Sequence, residues 1–363
     1  MRRARGILLI VGVLIFLVSV MFAPSVFSFR TASGQVATSP YAGSEACFKC
    51  HPGEFNDWKV SGHPYILIPA EQAKNMPLPL PAGYSWDDIS YVVGGYKWKA
   101  RYLDKKGFFI TTAAGKPGKN QYNLMTGAWA DYEAGKVKKY DCGRCHTTGY
   151  SPEGSQGGLP GIVGTWVFPG VGCESCHGPG QAHIAAGGDK KLIATDRSAW
   201  FCGNCHIRGK ATTIPAVGGF IQHHEQFNEH LASPHRKLAC VDCHDPHKKA
   251  EFSIRTTCAS CHSAAQAAFA GSTMQRVGVR CVDCHMPMAT KSAVSLGPYK
   301  GDVKTHLFLI KTDPEAKMFT PDGAFAKHYV TLDFACLQCH QDKTVKWAAQ
   351  YAKGIHSLGK RKK

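Results

Sequence analysis

Apolar and polar residues alternate along one stretch in the first third of the chain. Aromatic or small apolar residues occupy every second position from Tyr96 to Tyr102, and a charged residue stands in each gap. A period of two predicts a β-strand with one buried face. Residues 104–107 then carry turn-forming side chains, so the chain is expected to reverse there. We therefore predict a small β-meander near residues 89–112.

Elsewhere the pattern favours short helices and long loops. The 363 residues include 38 Gly and 20 Pro, and both residue types interrupt regular elements. We predict a mainly α and irregular fold class, in which the β-meander belongs to an insert at residues 52–141. Residues 286–335 show few periodic signals and are expected to wrap around the rest of the structure.

The N-terminus has the pattern of an export signal. Three arginines stand within the first five residues and precede an apolar run over residues 7–23. This predicts a signal peptide at residues 1–28, cleaved near Ser28, and a linker at residues 29–43. The alternative is a retained membrane anchor, because the run would be long enough to span a bilayer if it extended through Phe29. In both cases the remaining chain is predicted to be exported, to the periplasm or the cell exterior.

The pattern Cys-x-x-Cys-His occurs eight times and uses all 16 cysteines. Its spacing lets two thiols bind the two vinyl groups of one porphyrin as thioethers, while the next residue presents an imidazole to the iron. This is the attachment signature of c-type haem, so we predict eight covalently attached c-type haems, each with its iron. The predicted thioether cysteines are Cys47, Cys50, Cys142, Cys145, Cys173, Cys176, Cys202, Cys205, Cys240, Cys243, Cys258, Cys261, Cys281, Cys284, Cys336 and Cys339. The predicted proximal iron ligands are His51, His146, His177, His206, His244, His262, His285 and His340.

Other uses of a Cys-x-x-Cys pair predict a different sequence context. A zinc ribbon does not need a histidine directly after the second cysteine. A redox dithiol is expected once, beside a βαβ pattern, and disulfide halves carry no such histidine either. The invariant histidine in all eight copies therefore favours haem attachment.

Most segments between the motifs are too short to form separate domains. Chains below about 40 residues rarely fold alone, and most of the motifs start closer together than that. We therefore predict one octahaem domain over residues 44–363, with a haem-dense part at residues 142–285 and a C-terminal wrap that holds the last haem at residues 286–363. Haems that share cores in this way would pack against one another, as electron hopping requires.

The formal net charge of +17 does not indicate nucleic-acid binding. Each ferric haem with two propionates contributes about one negative charge, so eight haems offset about eight units. The Lys and Arg residues also form no stripe interleaved with aromatic residues. We predict no nucleic-acid partner, and we interpret the basic tail at residues 360–363 as a solvated end, with the steering of an acidic redox partner as the alternative.

Ten histidines lie outside the motifs and could supply the sixth ligand of each iron. Several end compact phrases near a motif: WKVSGH at His63, CHGPGQAH at His183, SPH at His235 and CHDPH at His247. We predict that these four are distal ligands and that His306, in the C-terminal wrap, is another. The supply suffices for eight bis-histidine haems.

Several phrases around the motifs resemble those of the multihaem cytochrome c superfamily. They are CESCHGPGQAH, ACVDCHDPH, CVDCHMP followed by KSA, and GDVKTHLF. The resemblance covers roughly residues 44–357. The superfamily includes the tetrahaem cytochrome c of ammonia oxidisers, hydroxylamine oxidoreductase, the octahaem tetrathionate and nitrite reductases, and the pentahaem nitrite reductase.

The resemblance implies which histidines bind iron from the distal side. The matching positions are His63, His183, His235, His247, His306 and His356. The HHEQF phrase adds His223 and His224, which in an extended segment would point to opposite sides and could serve two haems. His230 and His328 are then spare.

The chain departs from the enzymes of this superfamily at the catalytic haem. Nitrite-reducing members usually carry Cys-x-x-Cys-Lys there, whereas all eight copies here keep histidine. No tyrosine stands in a phrase that matches the cross-linked tyrosine of hydroxylamine oxidoreductase. A distal lysine of the kind used by tetrathionate reductases stays open, since Lys and Arg number 43.

These observations predict an exported octahaem cytochrome that transfers electrons through closely packed bis-histidine haems and has no catalytic residues. Its predicted partners are redox proteins or a membrane quinol oxidase module. One alternative is a multihaem oxidoreductase that acts on a small nitrogen or sulfur oxyanion at one open haem. Another is a subunit of an extracellular cytochrome filament, in which a histidine crosses to the haem of a neighbouring copy.

Overall fold

The computed structural model describes residues 39–359. The predicted signal peptide or anchor at residues 1–28, most of the linker and the basic tail lie outside the described residues, so these assignments stay predictions. Within residues 39–359, no helix is long and apolar enough to cross a membrane.

Helices in the described residues are short, and the longest contain eight residues. The α-helices are α1 (Ser44–Cys47), α2 (Pro52–Lys59), α3 (Ala70–Ala73), α4 (Gly143–His146), α5 (Cys173–His177), α6 (Gln181–Ala185), α7 (Ala199–Gly203), α8 (Gln226–Ala232), α9 (Cys240–Cys243), α10 (Ser263–Phe269), α11 (Thr273–Arg276), α12 (Cys281–His285) and α13 (Val345–Ala352). Single 3₁₀ turns lie at His63–Tyr65, Trp86–Asp88, Gln156–Gly158, Lys190–Leu192, Cys258–Ser260 and Ile355–Ser357, and a π-helical turn at Asp333–Leu337. The predicted short helices are confirmed.

The insert contains a five-stranded antiparallel sheet with strand order β1-β2-β3-β6-β7. Its strands are β1 (Leu67–Pro69), β2 (Ile89–Gly94), β3 (Lys99–Asp104), β6 (Gln121–Asn123) and β7 (Ala128–Ala130). The remaining strands form small pairs or a triplet: β4 (Thr112–Ala113), β5 (Lys116–Pro117), β8 (Thr147–Thr148), β9 (Phe168–Pro169), β10 (Ala216–Val217), β11 (Phe220–Gln222), β12 (Thr290–Lys291), β13 (Ile310–Lys311) and β14 (Val330–Thr331).

The alternating stretch forms a strand, but only over its second half. Ala100 and Tyr102 lie in β3 with no exposed surface, as the period of two predicts. Tyr96 instead lies in the connection between β2 and β3, where its ring stacks on another tyrosine. The predicted reversal is confirmed, because the Asp104 carboxylate accepts the backbone N–H of Lys106 at 2.9 Å in a tight turn.

The meander is larger than the sequence pattern indicates. The sheet also includes strands β1, β6 and β7, which contain three residues each. Three residues are too few to establish a period of two, so no alternation could have predicted these strands.

Three polypeptide cores position the haem motifs around them. One lies under the sheet and includes Ile68 and Ile89. A second joins the same sheet to fully buried Tyr140. The third joins residues 214–221 to the C-terminal wrap and includes fully buried Leu307. The wrap therefore shares a core with residues 214–221, built on short parallel pairings of β11 with β12 and of β13 with β14.

Candidate haem-binding sites

Each Cys-x-x-Cys-His motif folds as a single helical turn. The histidine backbone N–H donates to the carbonyl of the first cysteine, for example from His206 to Cys202 at 3.0 Å and from His262 to Cys258 at 2.8 Å. Residues three and four positions apart share one face of such a turn. The two thiols and the imidazole of one motif are therefore presented together on the same side.

None of the sixteen cysteines forms a disulfide, and each retains some solvent exposure. A porphyrin reaches such thiols from outside the polypeptide core, which is what thioether attachment requires. Among residues 39–359, no group of three or more His, Cys, Asp and Glu side chains is arranged to hold a bare metal ion.

Six motif histidines face an imidazole from elsewhere in the chain. The ring-centroid distances are 6.5 Å for His206 with His63, 6.4 Å for His146 with His224, 6.2 Å for His177 with His247, 6.2 Å for His244 with His306, 6.0 Å for His285 with His356, and 5.7 Å for His262 with His235. Bonds of about 2 Å from a metal to imidazole nitrogen would set the ring centroids of two axial ligands about 6 Å apart. The spacing fits an iron atom held between the two rings.

Hydrogen bonds at Nδ1 leave the other ring nitrogen free for iron. Nδ1 of His177 bonds to the carbonyl of Ala194 at 2.8 Å, and Nδ1 of His285 bonds to the carbonyl of Phe308 at 2.9 Å. An Nδ1–H that donates to a carbonyl fixes the tautomer in which Nε2 carries the lone pair. The residues therefore fit c-type haem, with Nε2 as the ligand atom.

Burial keeps several of these imidazoles neutral, as metal ligation requires. Desolvation lowers the pKa of His63 and of His146 to about 4, and that of His306 to about 3. A neutral imidazole buried without a metal would be an ordinary core residue. Facing pairs of such imidazoles are more specific, because the spacing of the two rings suits a metal between them.

The motifs also lie next to one another. Thiols of different motifs lie beside one another in four cases: Cys47 with Cys173, Cys145 with Cys205, Cys202 with Cys240, and Cys258 with Cys281. Three more neighbours are close enough to interact electrostatically. After burial, the charges of Cys202, Cys258 and Cys336 contribute to raising the pKa of Cys176, Cys243 and Cys284, respectively.

These contacts define a path through the motifs, numbered here one to eight in chain order. The path runs from motif one to motif three and then through motifs four, five, six, seven and eight. Motif two branches from motif four. Sequence order alone would have put motif two between motifs one and three.

Two motif histidines, His51 and His340, have no facing imidazole among the described residues. His183 is the candidate partner for His51. Its Nδ1 bonds to the carbonyl of Asp189 at 2.9 Å, so its Nε2 is free in the same way as that of the paired ligands. Its helix α6 is also tied to the segment before motif one, where the backbone N–H of Gln181 donates to the carbonyl of Pro40. The ring of His340 packs instead on Trp347, with centroids 5.0 Å apart.

The structure brings six of the eight predicted distal histidines beside a motif histidine: His63, His224, His235, His247, His306 and His356. It leaves His183 and His223 outside these pairs. His230 is buried with Nε2 bonded to the carbonyl of Leu238, and His328 is exposed, which suits their interpretation as spare.

The prediction that His223 and His224 point to opposite sides is wrong. Their rings lie 4.2 Å apart, because His224 has a φ of 74° and is not extended. Left-handed backbone is costly for a residue with a Cβ. It turns the His224 ring toward His146 while keeping it beside the ring of His223, whose Nε2 lies 3.5 Å from Nζ of Lys99.

Two cationic residues near motif two were missed from the sequence. Lys99 and Arg101 project from β3, where burial lowers the pKa of Lys99 to about 7 and also lowers the pKa of Arg101. The sequence did contain a signal for them, because two cationic residues at alternate positions of one strand share a face. The alternating buried residues, Ala100 and Tyr102, indicated only a strand with one face in the core.

A buried carboxylate that supports His306 was also missed. Glu229, in α8, is fully buried and accepts hydrogen bonds from the hydroxyls of Thr290 and Thr305 and from the backbone N–H of His306. Burial raises its pKa to about 7. Glu229 thus positions the segment that carries a predicted ligand.

Comparisons with known proteins agree with this geometry. The family model "Cytochrome c3" matches residues 167–263, and "Cytochrome c554 and c-prime" matches residues 112–178. Cytochrome c-554 from Nitrosomonas europaea is 28% identical over 161 residues, which are 44% of this chain. The match spans about half, 48%, of that relative's length.

Two solved structures share the fold. The octahaem sulfite reductase MccA from Wolinella succinogenes, form II, superposes with a TM-score of 0.61 and 17% identity, over 85% of this chain and 67% of its own. The outer cell wall cytochrome OcwA superposes with a TM-score of 0.56 and 20% identity, over 86% of each chain. The two family models, the cytochrome c-554 relative and the eight motifs together support a multihaem c-type cytochrome with covalently bound haem, and the resemblance stated from its phrases is confirmed.

Proposed function

We propose that this protein is an octahaem electron carrier that moves electrons along the path of its motifs and makes no chemical bonds of its own. The observation that carries the proposal is the set of six imidazole pairs, each joining one motif histidine to one histidine outside the motifs. An iron with imidazole on both sides has no position left for a substrate. Bound haem supplies the redox centre, and each of the six pairs would supply both axial ligands of one haem.

The path of neighbouring motifs supports transfer over the whole array. Contacts between thiols of successive motifs require that the porphyrins attached to them also be close. The axial imidazoles, the burial of each site and the hydrogen bonds at Nδ1 then tune the potentials. His183 is the proposed distal ligand for the haem at His51, on the evidence of its Nδ1 bond to Asp189.

The second candidate is an oxidoreductase that acts on a small nitrogen or sulfur oxyanion. His340 favours it, because that motif histidine faces Trp347 and no described imidazole. The relative MccA is named a sulfite reductase, whereas cytochrome c-554 and OcwA are named only as cytochromes. The same haem could instead receive its sixth ligand from another copy of the chain, as in a filament.

Spectroscopy of the fully loaded protein tests the carrier proposal. We expect electron paramagnetic resonance of the oxidised protein to show only low-spin signals, and the reduced protein to bind no carbon monoxide. The ring planes within pairs are inclined by 4° to 85°, so more than one low-spin species is expected. A stoichiometric high-spin signal, or rapid turnover of nitrite or hydroxylamine, would contradict the proposal and favour the oxidoreductase.

We further propose an exported protein, periplasmic or extracellular, that exchanges electrons with redox proteins or a membrane quinol oxidase module. N-terminal sequencing of native material is expected to begin close to Phe29, since the signal peptide would be removed near Ser28. Recovery of residues 1–28 in a membrane fraction would show that the chain is anchored instead. An anchor would favour a role in taking electrons from membrane quinol.

A further inference from the structure

Three cationic side chains converge beside the His146–His224 pair. Nζ of Lys99 donates to the carbonyl of Ser292 at 2.5 Å and lies 3.5 Å from Nε2 of His223. The Arg208 Nε donates to the carbonyl of His223 at 3.1 Å. The electrostatic influence of Arg101 reaches both His146 and His223.

These cations come from separate parts of the chain. Lys99 and Arg101 are two residues apart in β3 and share one face of the sheet. Arg208 lies in the loop after motif four. The Arg101 guanidinium is held in place on two sides, because Nε donates to Oε1 of Gln121 at 2.7 Å and Cζ lies 3.4 Å from the ring centre of Tyr132.

The nearby carboxylates are already engaged. Both oxygens of Asp302 accept backbone N–H groups of residues 292–294, at 2.6 to 3.0 Å. Glu133 pairs with Lys136 at 2.8 Å, and the buried Glu225 pairs with Arg208 at 3.3 Å. In the part of the chain that the structure describes, neither Lys99 nor Arg101 is in ion-pair contact with a carboxylate.

Partly buried positive charges that face no carboxylate are unfavourable, because they lose hydration and gain no opposing charge. The imidazole of His223 adds a further polar group to the same place. It is not needed as the ligand of His146, since His224 already faces that ring at 6.4 Å. The two uncompensated cations and the imidazole therefore favour the binding of an anion at this place.

We propose that Lys99, Arg101 and His223 form a binding site for one oxyanion group next to the haem of motif two. The group is a carboxylate or a small inorganic oxyanion, since both present oxygen atoms to an ammonium and a planar guanidinium. It comes either from a propionate of that haem or from free solution. The inference rests on the proposed attachment of a haem at Cys142, Cys145 and His146.

The site has a predictable effect on electron transfer. Reduction adds one negative charge to a haem, and nearby positive charge favours that state. The cations therefore raise the potential of the haem of motif two above the value it would have without them. Since motif two branches from motif four, this haem would hold an electron beside the main path.

The test uses the full haem-loaded protein and the variants Lys99→Gln and Arg101→Gln. Lys97→Gln is the matched control, because Lys97 is exposed, lies over Trp98 and precedes the same strand. A pyridine haemochrome assay first checks that each variant keeps the parental haem count. Each protein is then titrated in two ways, spectroelectrochemically and with inorganic sulfite or nitrite. The absorbance of the Soret band is measured in both titrations.

If the anion is a propionate, Lys99→Gln and Arg101→Gln each shift the wave of one haem to lower potential, and added sulfite or nitrite changes nothing. If the anion is free, sulfite or nitrite perturbs the parent spectrum, and both substitutions weaken that binding at least tenfold. Lys97→Gln behaves as the parent in either case. The proposal is overturned if both variants keep the parental potentials and the parental response to anions.

Failure of the octahaem carrier proposal would give a different result. It would appear as a lower haem count or a high-spin signal in the parent protein itself. Loss of the anion site leaves both of those parental properties intact.

Discussion

Replacing His247 with alanine is expected to create carbon monoxide binding that the parent protein lacks. His247 faces His177 at 6.2 Å with the two ring planes inclined by 4°, and it is partly exposed, so its removal leaves the cores intact. His177 keeps its own hydrogen bond to Ala194 and stays in position as the proximal ligand. The iron then has one open position. We expect about one carbon monoxide per chain, measured by the Soret shift of the reduced protein.

His230→Gln is the matched control for this variant. The Nε2 atom of His230 is bonded to the carbonyl of Leu238 and faces no motif histidine, so its replacement by another hydrogen-bond donor should open no iron. A His247→Ala protein that binds no carbon monoxide, although it carries the parental number of haems, would show that His247 is not a distal ligand.

Replacing Cys240 and Cys243 with alanine is expected to remove one haem and to interrupt the electron path. The parent should carry eight haems that survive acid and organic extraction, and the variant seven. Motif five is the link between motifs four and six, since Cys202 contacts Cys240 and the charge of Cys258 acts on Cys243. Electron transfer between motifs four and six would then have to cross the space of the missing haem, and the rate of this transfer should fall by orders of magnitude. Pulsed reduction followed by optical spectroscopy measures that rate.

The double variant Cys142→Ala with Cys145→Ala is the control, because it also removes one haem but from the branch at motif two. The path through motifs one, three and four to eight stays complete, so the rate should change little. Equal loss of rate in both variants would contradict the branched path. A parent with six or fewer haems would contradict the octahaem assignment.

The β-meander shows how far the alternation of residues could predict the fold. Ala100 and Tyr102 are buried in β3 as expected, since six residues of one strand are enough to express a period of two. Tyr96 belongs to the same alternating pattern, but it lies in the hairpin connection and not in a strand. The boundary of β3 is set by the pairing of Gly94 with Ala100 across the hairpin, and the pattern of one strand contains no information about that pairing.

The two residues of the HHEQF phrase show a similar limit at the candidate sites. Their sequence identified both as candidate ligands, but the choice between them depends on one backbone angle. The positive φ of His224 brings its ring toward His146 and leaves His223 beside Lys99. A non-glycine residue in this conformation is held there by its surroundings, so no local pattern could have predicted it.

The sequence by itself identified c-type haem as the cofactor and predicted its attachment points and proximal ligands, because all of that chemistry lies within five consecutive residues. Thiols three apart and an imidazole in the next position meet on one helical turn wherever the motif occurs. Tertiary structure alone decided which distal imidazole faces which motif, which motifs are neighbours, and which cations gather beside motif two. Those relations join residues as distant as His63 and His206, and they depend on how short helices and loops pack around shared cores, which is a property of the whole chain.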